Sequence, residues 1–327
     1  MVEVFDRDER PPRLLGRATH VRQSRDTSHA GTQRGPVIDL PATRDLGRYE
    51  ELDLTYDAAQ RALWCFMRPK GPPSFTFGML REIRSVHAMI NKMNTERING
   101  EPPPVRFYVG GSNLPGIFNL GGDLNFFIEK IRIQDRDGLR AYAYRCVETI
   151  YHNGYGFDTP VVSIGVLEGD ALGGGFEGAM SFNVLVAERG VKLGTPEVLF
   201  NLFPGMGAYS FLCRKLDAVR AEKIILSGRT YLAEEFHEMG IIDVLADKGQ
   251  GRQAARQFME DNIRRQPLLF AINRVRSRVA PITLEELREV TDIWVEMALS
   301  LDPSDLRKME IVAMAQRRRL ARAQGRA

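Results

Sequence analysis

The sequence has 327 residues, of which 43% are hydrophobic and 27% charged, so it holds enough apolar material to bury one large core. Its formal net charge is +3, but residues 311–327 contain five arginines and no acid, so the rest of the chain carries a net charge of −2. A body this close to neutrality excludes the basic footprint of a nucleic-acid-binding protein. We interpret the basic segment as a solvated helix end.

Cysteines, histidines and apolar runs exclude further classes. The three cysteines are far apart and form no C-x-x-C pair, which predicts neither a disulfide framework nor a zinc site and favours a reducing compartment. The five histidines share no metal-ligand spacing, so we expect neither a metal nor a cofactor. No stretch reaches ~18 consecutive apolar residues, and the first residues lack the apolar run of a signal peptide. We therefore expect a cytoplasmic protein without a membrane span.

The pattern divides the chain into three regions. Residues 1–48 are rich in Arg, Asp, Pro and Thr with only short apolar patches, which predicts a disordered or loosely ordered extension. Acids among its first nine residues argue against the alternative of a transit peptide. Residues 49–250 alternate short β-rich runs with helical patterns, which is typical of an α/β core. Residues 251–327 are almost entirely helical in pattern.

Apolar periodicity predicts the elements in chain order. Residues 52–68 (LDLTYDAAQRALWCFMR) are typical of two strands of a hairpin or meander. The remaining predicted elements are a helix at 75–94, a strand at 104–112, a helix at 137–153, strands at 160–169 and 183–190, and a helix at 284–301.

A glycine cluster, GDALGGGFEG at 169–178, follows a predicted buried strand. Its glycines match by count the G-x-G-x-x-G spacing of dinucleotide-binding proteins. That fold needs a full helix after the glycines and then a crossover to a parallel strand, in a unit of ~30 residues. Here only FEGAMSFN separates the glycines from the next strand, and Glu177 would repel a pyrophosphate in the turn. The pattern therefore argues against a nucleotide site.

The same residues suit a turn that binds an oxyanion. Consecutive glycines expose backbone N–H groups, and the start of a helix adds positive potential. A second such turn occurs at Gly121 and Gly122 in FNLGGDLNFF, which supplies a second donor. Two carboxylates accompany the turns, Glu177 in the glycine cluster and Glu197 in KLGTPEVLF. Ordinary helix-start carboxylates are the alternative interpretation, and the paired glycine turns favour the catalytic one.

Four motifs carry a family resemblance. FNLGGDL, ALGGGFEGAMS, GTPEVLF and LFPGMGAYSFL resemble, in order and spacing, those of the crotonase (enoyl-CoA hydratase/isomerase) superfamily, and they are especially similar to its diffusible signal factor (DSF) synthase branch. The resemblance runs from about residue 51 into the C-terminal helices. It implies an α/β fold of the crotonase (ClpP/crotonase) type, a spiral of ββα units at 49–250, with a helical trimerisation and lid segment at 251–327.

The resemblance also implies residue roles. The thioester oxygen would accept hydrogen bonds from the backbone N–H groups of Gly122 and Gly174, which form the oxyanion hole. Glu177 and Glu197 would act as acid and base across the substrate. The implied substrate-binding residues are Leu172, Met206 and Trp294. For Trp294, ordinary packing of an apolar helix face is the alternative.

The implied function is that of a DSF synthase. Such an enzyme dehydrates a β-hydroxyacyl thioester of acyl carrier protein and hydrolyses the thioester with water that a glutamate activates, which releases a cis-α,β-unsaturated fatty acid. One alternative is an enoyl-CoA hydratase of fatty-acid metabolism, and another is a regulatory acyl-binding protein that acts through a sensor kinase. The implied partners are acyl carrier protein or acyl-CoA, a sensor-kinase receiver domain, and further copies of the chain in a trimer or hexamer.

Overall fold

The computed structural model describes residues 46–96, 103–157 and 159–325. These residues fall in one structural unit, Arg44–Ala327. The extension predicted at 1–48 lies outside the described residues except for its last three, so its order stays a prediction.

Two sheets organise the described residues. The larger sheet has the strand order β1 (Leu52–Asp57), β2 (Ala62–Met67), β3 (Phe107–Ser112), β5 (Val162–Leu167), β7 (Val184–Glu188) and β10 (Val244–Ala246). The smaller sheet has the order β4 (Ile117–Asn119), β6 (Asp170–Leu172), β8 (Lys192–Gly194) and β9 (Tyr231–Leu232). β1 and β2 form an antiparallel hairpin, as the sequence predicts, and the other neighbours in the larger sheet run parallel.

Helices connect and cover the sheets. They are α1 (Phe77–Thr95), α2 (Leu124–Arg132), α3 (Arg136–Gly154), α4 (Gly174–Met180), α5 (Ala208–Lys215), α6 (Ala218–Ser227), α7 (Ala233–Glu238), α8 (Gly251–Asn262), α9 (Gln266–Val279), α10 (Leu284–Leu299) and α11 (Pro303–Ala323). The helices predicted at 75–94, 137–153 and 284–301 correspond to α1, α3 and α10. Within the described residues, no helix is long and apolar enough to cross a membrane.

One unit repeats along the chain: a strand of the larger sheet, a strand of the smaller sheet, then a helix. β3–β4–α2 is the first and β5–β6–α4 the second, and in the third β7–β8 leads through the short 3-10 helix Pro196–Phe200 (η1) to α5. In the smaller sheet β4 pairs in parallel with β6, and β6 with β8. The predicted spiral of ββα units is therefore present, and it brings the segments that follow these three short strands to one edge.

Both faces of the larger sheet are buried. On one face, side chains such as Trp64 and Ile164 pack under Phe258 and Met259 of α8. On the other face lies the larger core, to which α1, α3 and α10 contribute. Parallel strands covered on both faces are expected to be almost wholly apolar, which explains why β5 is buried along its whole length.

A pair of glycines in the larger sheet makes room for one aromatic ring. Gly110 of β3 lies opposite Gly165 of β5 in the sheet. A Cβ on Gly110 would lie 2.4 Å from Cζ of Phe182, and a Cβ on Gly165 would lie 3.1 Å from Cδ2 of the same ring. Phe182 follows α4, so these glycines let α4 approach the sheet.

We predict that Gly110→Ala destabilises the fold by about 1–3 kcal/mol, because the added methyl overlaps the ring of Phe182. Phe182→Leu in the same chain should recover part of that loss, which a double-mutant cycle from urea denaturation measures. Gly71→Ala is the matched control, since a Cβ there meets nothing within 4 Å. Equal stability of the Gly110 and Gly71 variants would contradict this account of the packing.

Candidate active site

The glycine cluster forms the turn between β6 and α4. Gly173 has φ +56, a conformation that favours glycine, and its N–H donates to the carbonyl of Gly194 in β8 at 2.8 Å. A Cβ on Gly175 would lie 2.0 Å from the carbonyl oxygen of Asn119, so α4 packs directly against the end of β4. α4 has seven residues and is wholly buried. It is therefore a packing element of the site, and it lacks the length of a nucleotide-binding helix.

The other glycine turn follows β4. Gly121 has φ +103, its N–H donates to Oδ1 of Asn119 at 2.8 Å, and its carbonyl accepts from the N–H of Phe75 at 2.9 Å. Gly122 comes next, and a Cβ there would lie 2.5 Å from the ring of Phe127. Backbone conformation therefore favours glycine at the first position, and close packing requires it at the second.

The two turns bring the amides of Gly122 and Gly174 together. A Cβ on Gly174 would lie 3.5 Å from the amide nitrogen of Gly122. Within the part of the chain that the structure describes, neither amide has a hydrogen-bond acceptor. Because buried N–H groups are almost always paired, two neighbouring unpaired donors beside a cavity have the geometry that an oxyanion site requires.

Glu177 lies in the first turn of α4 and is 1% exposed. Its Oε1 accepts hydrogen bonds from the N–H groups of Met206 at 2.8 Å and Ala208 at 2.9 Å. Between them Gly207 has φ +109, which turns both N–H groups toward one oxygen. Burial raises the pKa of Glu177 from 4.5 to about 7, and the two hydrogen bonds oppose that rise.

Glu197 begins the first turn of η1 and faces the glycine cluster. A Cβ on Gly173 would lie 2.5 Å from Oε1 of Glu197. Its Oε2 is enclosed and has no hydrogen-bond partner among the described residues. Burial and then the charge of Glu177 raise the pKa of Glu197 well above its ordinary value.

The two carboxyls therefore form one titrating pair. Glu177 has two backbone donors that stabilise its carboxylate, whereas Glu197 has no such donors from neighbouring residues. These contacts favour the ionised form of Glu177 and the protonated form of Glu197. A carboxyl that can accept a proton and a carboxyl that can donate one therefore border the same cavity, which coupled proton transfers require.

A cavity of about 160 Å³ joins these groups. All seven residues that the resemblance nominated border it: Gly122, Gly174, Glu177, Glu197, Leu172, Met206 and Trp294. Apolar side chains form most of its wall, so the cavity suits an apolar ligand. Among the described residues, no cluster of three His, Cys, Asp or Glu side chains could hold a metal ion.

Trp294 of α10 is both a core residue and a wall of the cavity. It is 5% exposed, and its ring packs over Gly205, where a Cβ would lie 2.4 Å from the ring. Its ring centroid lies 5.0 Å from that of Phe127. Trp294 is therefore a core residue whose ring also borders the cavity, and its contact with a ligand stays a prediction.

The resemblance implied a lid segment at 251–327, but sequence reasoning named no site residue on α11. Gln316 donates from Nε2 to the carbonyl of Leu120 at 2.9 Å, and Arg319 pairs with Asp170 at 2.6 Å. Both side chains line the cavity with Val312. The interpretation of the basic segment as a solvated helix end is thus wrong for Arg319, which the ion pair fixes at the cavity. The helical spacing of 312, 316 and 319 was the available signal.

Asn119 and Tyr142 are two further site residues that sequence reasoning missed. Asn119 holds the N–H of Gly121, and Tyr142 of α3 lines the cavity. An asparagine two residues before a glycine is a recognisable local turn signal. Tyr142 carries no such signal, because its polar contacts are made by residues far away in the sequence.

Comparison with known proteins adds a family match. Residues 101–319 match the family model for enoyl-CoA hydratase/isomerase. The chain is 32% identical to cyclohexa-1,5-dienecarbonyl-CoA hydratase of Thauera aromatica over 142 residues, 42% of this chain and 54% of that protein. It is 29% identical to mitochondrial methylglutaconyl-CoA hydratase of Rattus norvegicus over 187 residues, 57% of this chain and 56% of that protein. The aligned part thus spans little more than half the length of either relative.

Solved structures share the fold. An enoyl-CoA hydratase from Bacillus halodurans matches with a TM-score of 0.66 at 17% identity. The match covers 80% of this chain and 100% of that chain. DspI of Pseudomonas aeruginosa matches with a TM-score of 0.60 at 21% identity, covering 73% of this chain and 86% of that one. At such identities the likeness concerns the fold alone, and the predicted crotonase-type α/β fold is confirmed.

The pH dependence of stability tests the buried pair. A carboxyl whose pKa is raised by folding binds its proton more tightly in the folded chain, so stability is full below pH 4.5 and falls as pH rises through the raised pKa. Each pKa unit of the rise corresponds to about 1.4 kcal/mol. We predict that Glu197→Gln gains stability relative to the wild type between pH 5 and pH 8, measured by urea denaturation.

Glu289→Gln is the control for that experiment. Glu289 is exposed on α10, so Glu289→Gln removes a carboxyl group from the surface and leaves the buried pair unchanged. Its stability difference from the wild type should stay nearly constant over the same pH range. A Glu197 variant that follows the Glu289 variant at every pH would show that Glu197 is ionised at no cost.

Proposed function

Because this chain belongs to the enoyl-CoA hydratase/isomerase family, we propose that it is a β-hydroxyacyl-thioester dehydratase that uses Glu177 and Glu197 for proton transfer. The match to the family model confirms the superfamily that the four motifs resemble. The branch within that superfamily is part of the proposal. The observation that carries it is one arrangement: two buried carboxyls with raised pKa values and two unpaired amides border the same apolar cavity.

The proposed dehydration uses every part of that arrangement. One glutamate, as a carboxylate, takes a proton from the α-carbon of the β-hydroxyacyl thioester. The electron pair moves onto the thioester oxygen, where the N–H groups of Gly122 and Gly174 stabilise the enolate. As the enolate collapses, the β-carbon–oxygen bond breaks and the other glutamate donates its proton to the departing hydroxyl, which leaves as water.

A second, hydrolytic step is the finer part of the proposal. After dehydration, a glutamate activates a water molecule that attacks the carbonyl carbon, whose oxygen the same two amides bind. The carbon–sulfur bond then breaks, the leaving thiolate takes up a proton to become the carrier thiol, and a free cis-α,β-unsaturated acid is released. The support for this step is the resemblance of the four motifs to the DSF synthases and the presence of both glutamates beside one oxyanion site.

Two further parts of the proposal concern partners. Self-association as a trimer or hexamer is supported by an apolar stripe on α9, whose members are spaced for one helix face and are at least half exposed: Leu268, Ile272, Val275 and Val279. The carrier of the acyl group, acyl carrier protein or CoA, and a sensor-kinase receiver domain rest on the motif resemblance alone.

Mass spectrometry of the products tests the function. The protein is incubated with β-hydroxydodecanoyl-acyl carrier protein in one tube and with crotonyl-CoA in another. We expect a free cis-unsaturated acid from the first tube. Hydration of crotonyl-CoA with no acid released from the carrier would instead identify a metabolic enoyl-CoA hydratase. Acyl binding without turnover in either tube would favour the regulatory alternative.

Glutamine substitutions test the proton transfers. We predict that Glu177→Gln and Glu197→Gln each lower kcat for dehydration by roughly two to four orders of magnitude, because each removes one proton-transfer group. Binding of the acyl thioester should survive, since the cavity wall is unchanged. Glu168→Gln is the matched control, because Glu168 pairs with Arg252 outside the cavity. Turnover near the wild-type rate in either site variant would refute the mechanism.

A further inference from the structure

Both sequence neighbours of Gly122 are linked by hydrogen bonds to Phe75. Gly122 and Phe75 form an isolated parallel bridge. In a parallel pair, the N–H of one residue bonds to the residue before its partner, and its carbonyl bonds to the residue after. The first of these bonds is present, from the N–H of Phe75 to the carbonyl of Gly121 at 2.9 Å.

A side chain links the two residues on the other side of that bridge, Asp123 and Phe75. The N–H of Asp123 donates to the hydroxyl oxygen of Tyr142 at 3.0 Å, and that hydroxyl donates to the carbonyl of Phe75. The Tyr142 hydroxyl thus links Asp123 to Phe75 within that bridge. It fixes the residue after Gly122 while the N–H of Gly122 stays unpaired beside the cavity.

The ring of Tyr142 is itself fixed. Its centroid lies 5.1 Å from that of Phe77 and 5.3 Å from that of Phe127, both edge-on, and the residue is 1% exposed. Burial raises the pKa of Tyr142 well above 10, so the hydroxyl keeps the proton that it donates to Phe75. The ring is therefore held by packing on two sides, and burial favours the protonated hydroxyl that the relay needs.

We propose that Tyr142 is a positioning residue of the oxyanion site, which aims the N–H of Gly122 at the thioester oxygen through Asp123 and Phe75. This inference rests on the proposed function, since it needs a thioester oxygen to be bound there. An oxyanion donor contributes by its orientation as well as its presence, and loss of one donor costs about 10²–10³ in rate. A donor that is displaced but still present should lower the rate by less than its complete loss does.

Tyr142→Phe tests the relay, because it removes the hydroxyl and keeps the ring. We expect kcat for dehydration to fall about tenfold to a hundredfold with KM within about twofold. The carbonyl stretch of bound hexadienoyl-CoA should shift less to low frequency than in the wild type, because the oxygen is less polarised. Tyr144→Phe is the matched control: its hydroxyl, on the same helix, bonds to Asp292 and Arg140 away from the cavity.

Phe77→Leu is a second variant in case Tyr142→Phe does not fold. Phe77 is 45% exposed and packs on the Tyr142 ring, so its replacement loosens the relay and keeps the hydroxyl. It should give a smaller change of both readouts in the same direction. A carbonyl shift and kcat equal to those of the wild type in the folded variants would overturn the role of Tyr142 and leave the proposed function intact. No carbonyl shift in the wild type would overturn both.

Discussion

The site depends on placing two carboxyl groups in an apolar cavity without ionising both. A buried carboxylate is costly, and a second one nearby costs more. The structure meets this constraint unequally: Glu177 receives two backbone N–H groups, and Glu197 receives none from the described residues around its enclosed Oε2. The left-handed backbone at Gly207 follows from the same constraint, because it directs the amides on either side of it to one oxygen.

The proposed oxyanion site is a consequence of the parallel pairing between β4 and β6. Equivalent strands of two successive ββα units lie side by side, so the turns that follow them also lie side by side. Each turn then needs glycine for its own reason, a ring over Gly122 and the Glu197 carboxyl against Gly173. Two N–H donors therefore converge although 52 positions separate Gly122 from Gly174 in the sequence.

The sequence predicted those parts of the site that local patterns encode. Glycine turns after strands and carboxylates at helix starts are short-range signals, and the four motifs in order supplied the fold. Tyr142 was out of reach because its hydroxyl bonds to Phe75 and Asp123, 67 and 19 positions away. Arg319 was misread because its partner Asp170 lies 149 positions earlier, so the charge looked unpaired in the sequence. What failed was inference about side chains whose partners the fold alone selects.

The contacts of α11 show how this helix is held as one wall of the cavity. Its first half is anchored by buried apolar side chains, Leu306, Met309 and Ala313. Its second half reaches the residues before each glycine turn by a hydrogen bond to Leu120 and an ion pair with Asp170. Such contacts contribute only ~1 kcal/mol each. Burial is the main cause of the raised pKa values of Glu177 and Glu197, so these values depend on a cavity wall whose second half is held to the glycine turns by contacts of this size.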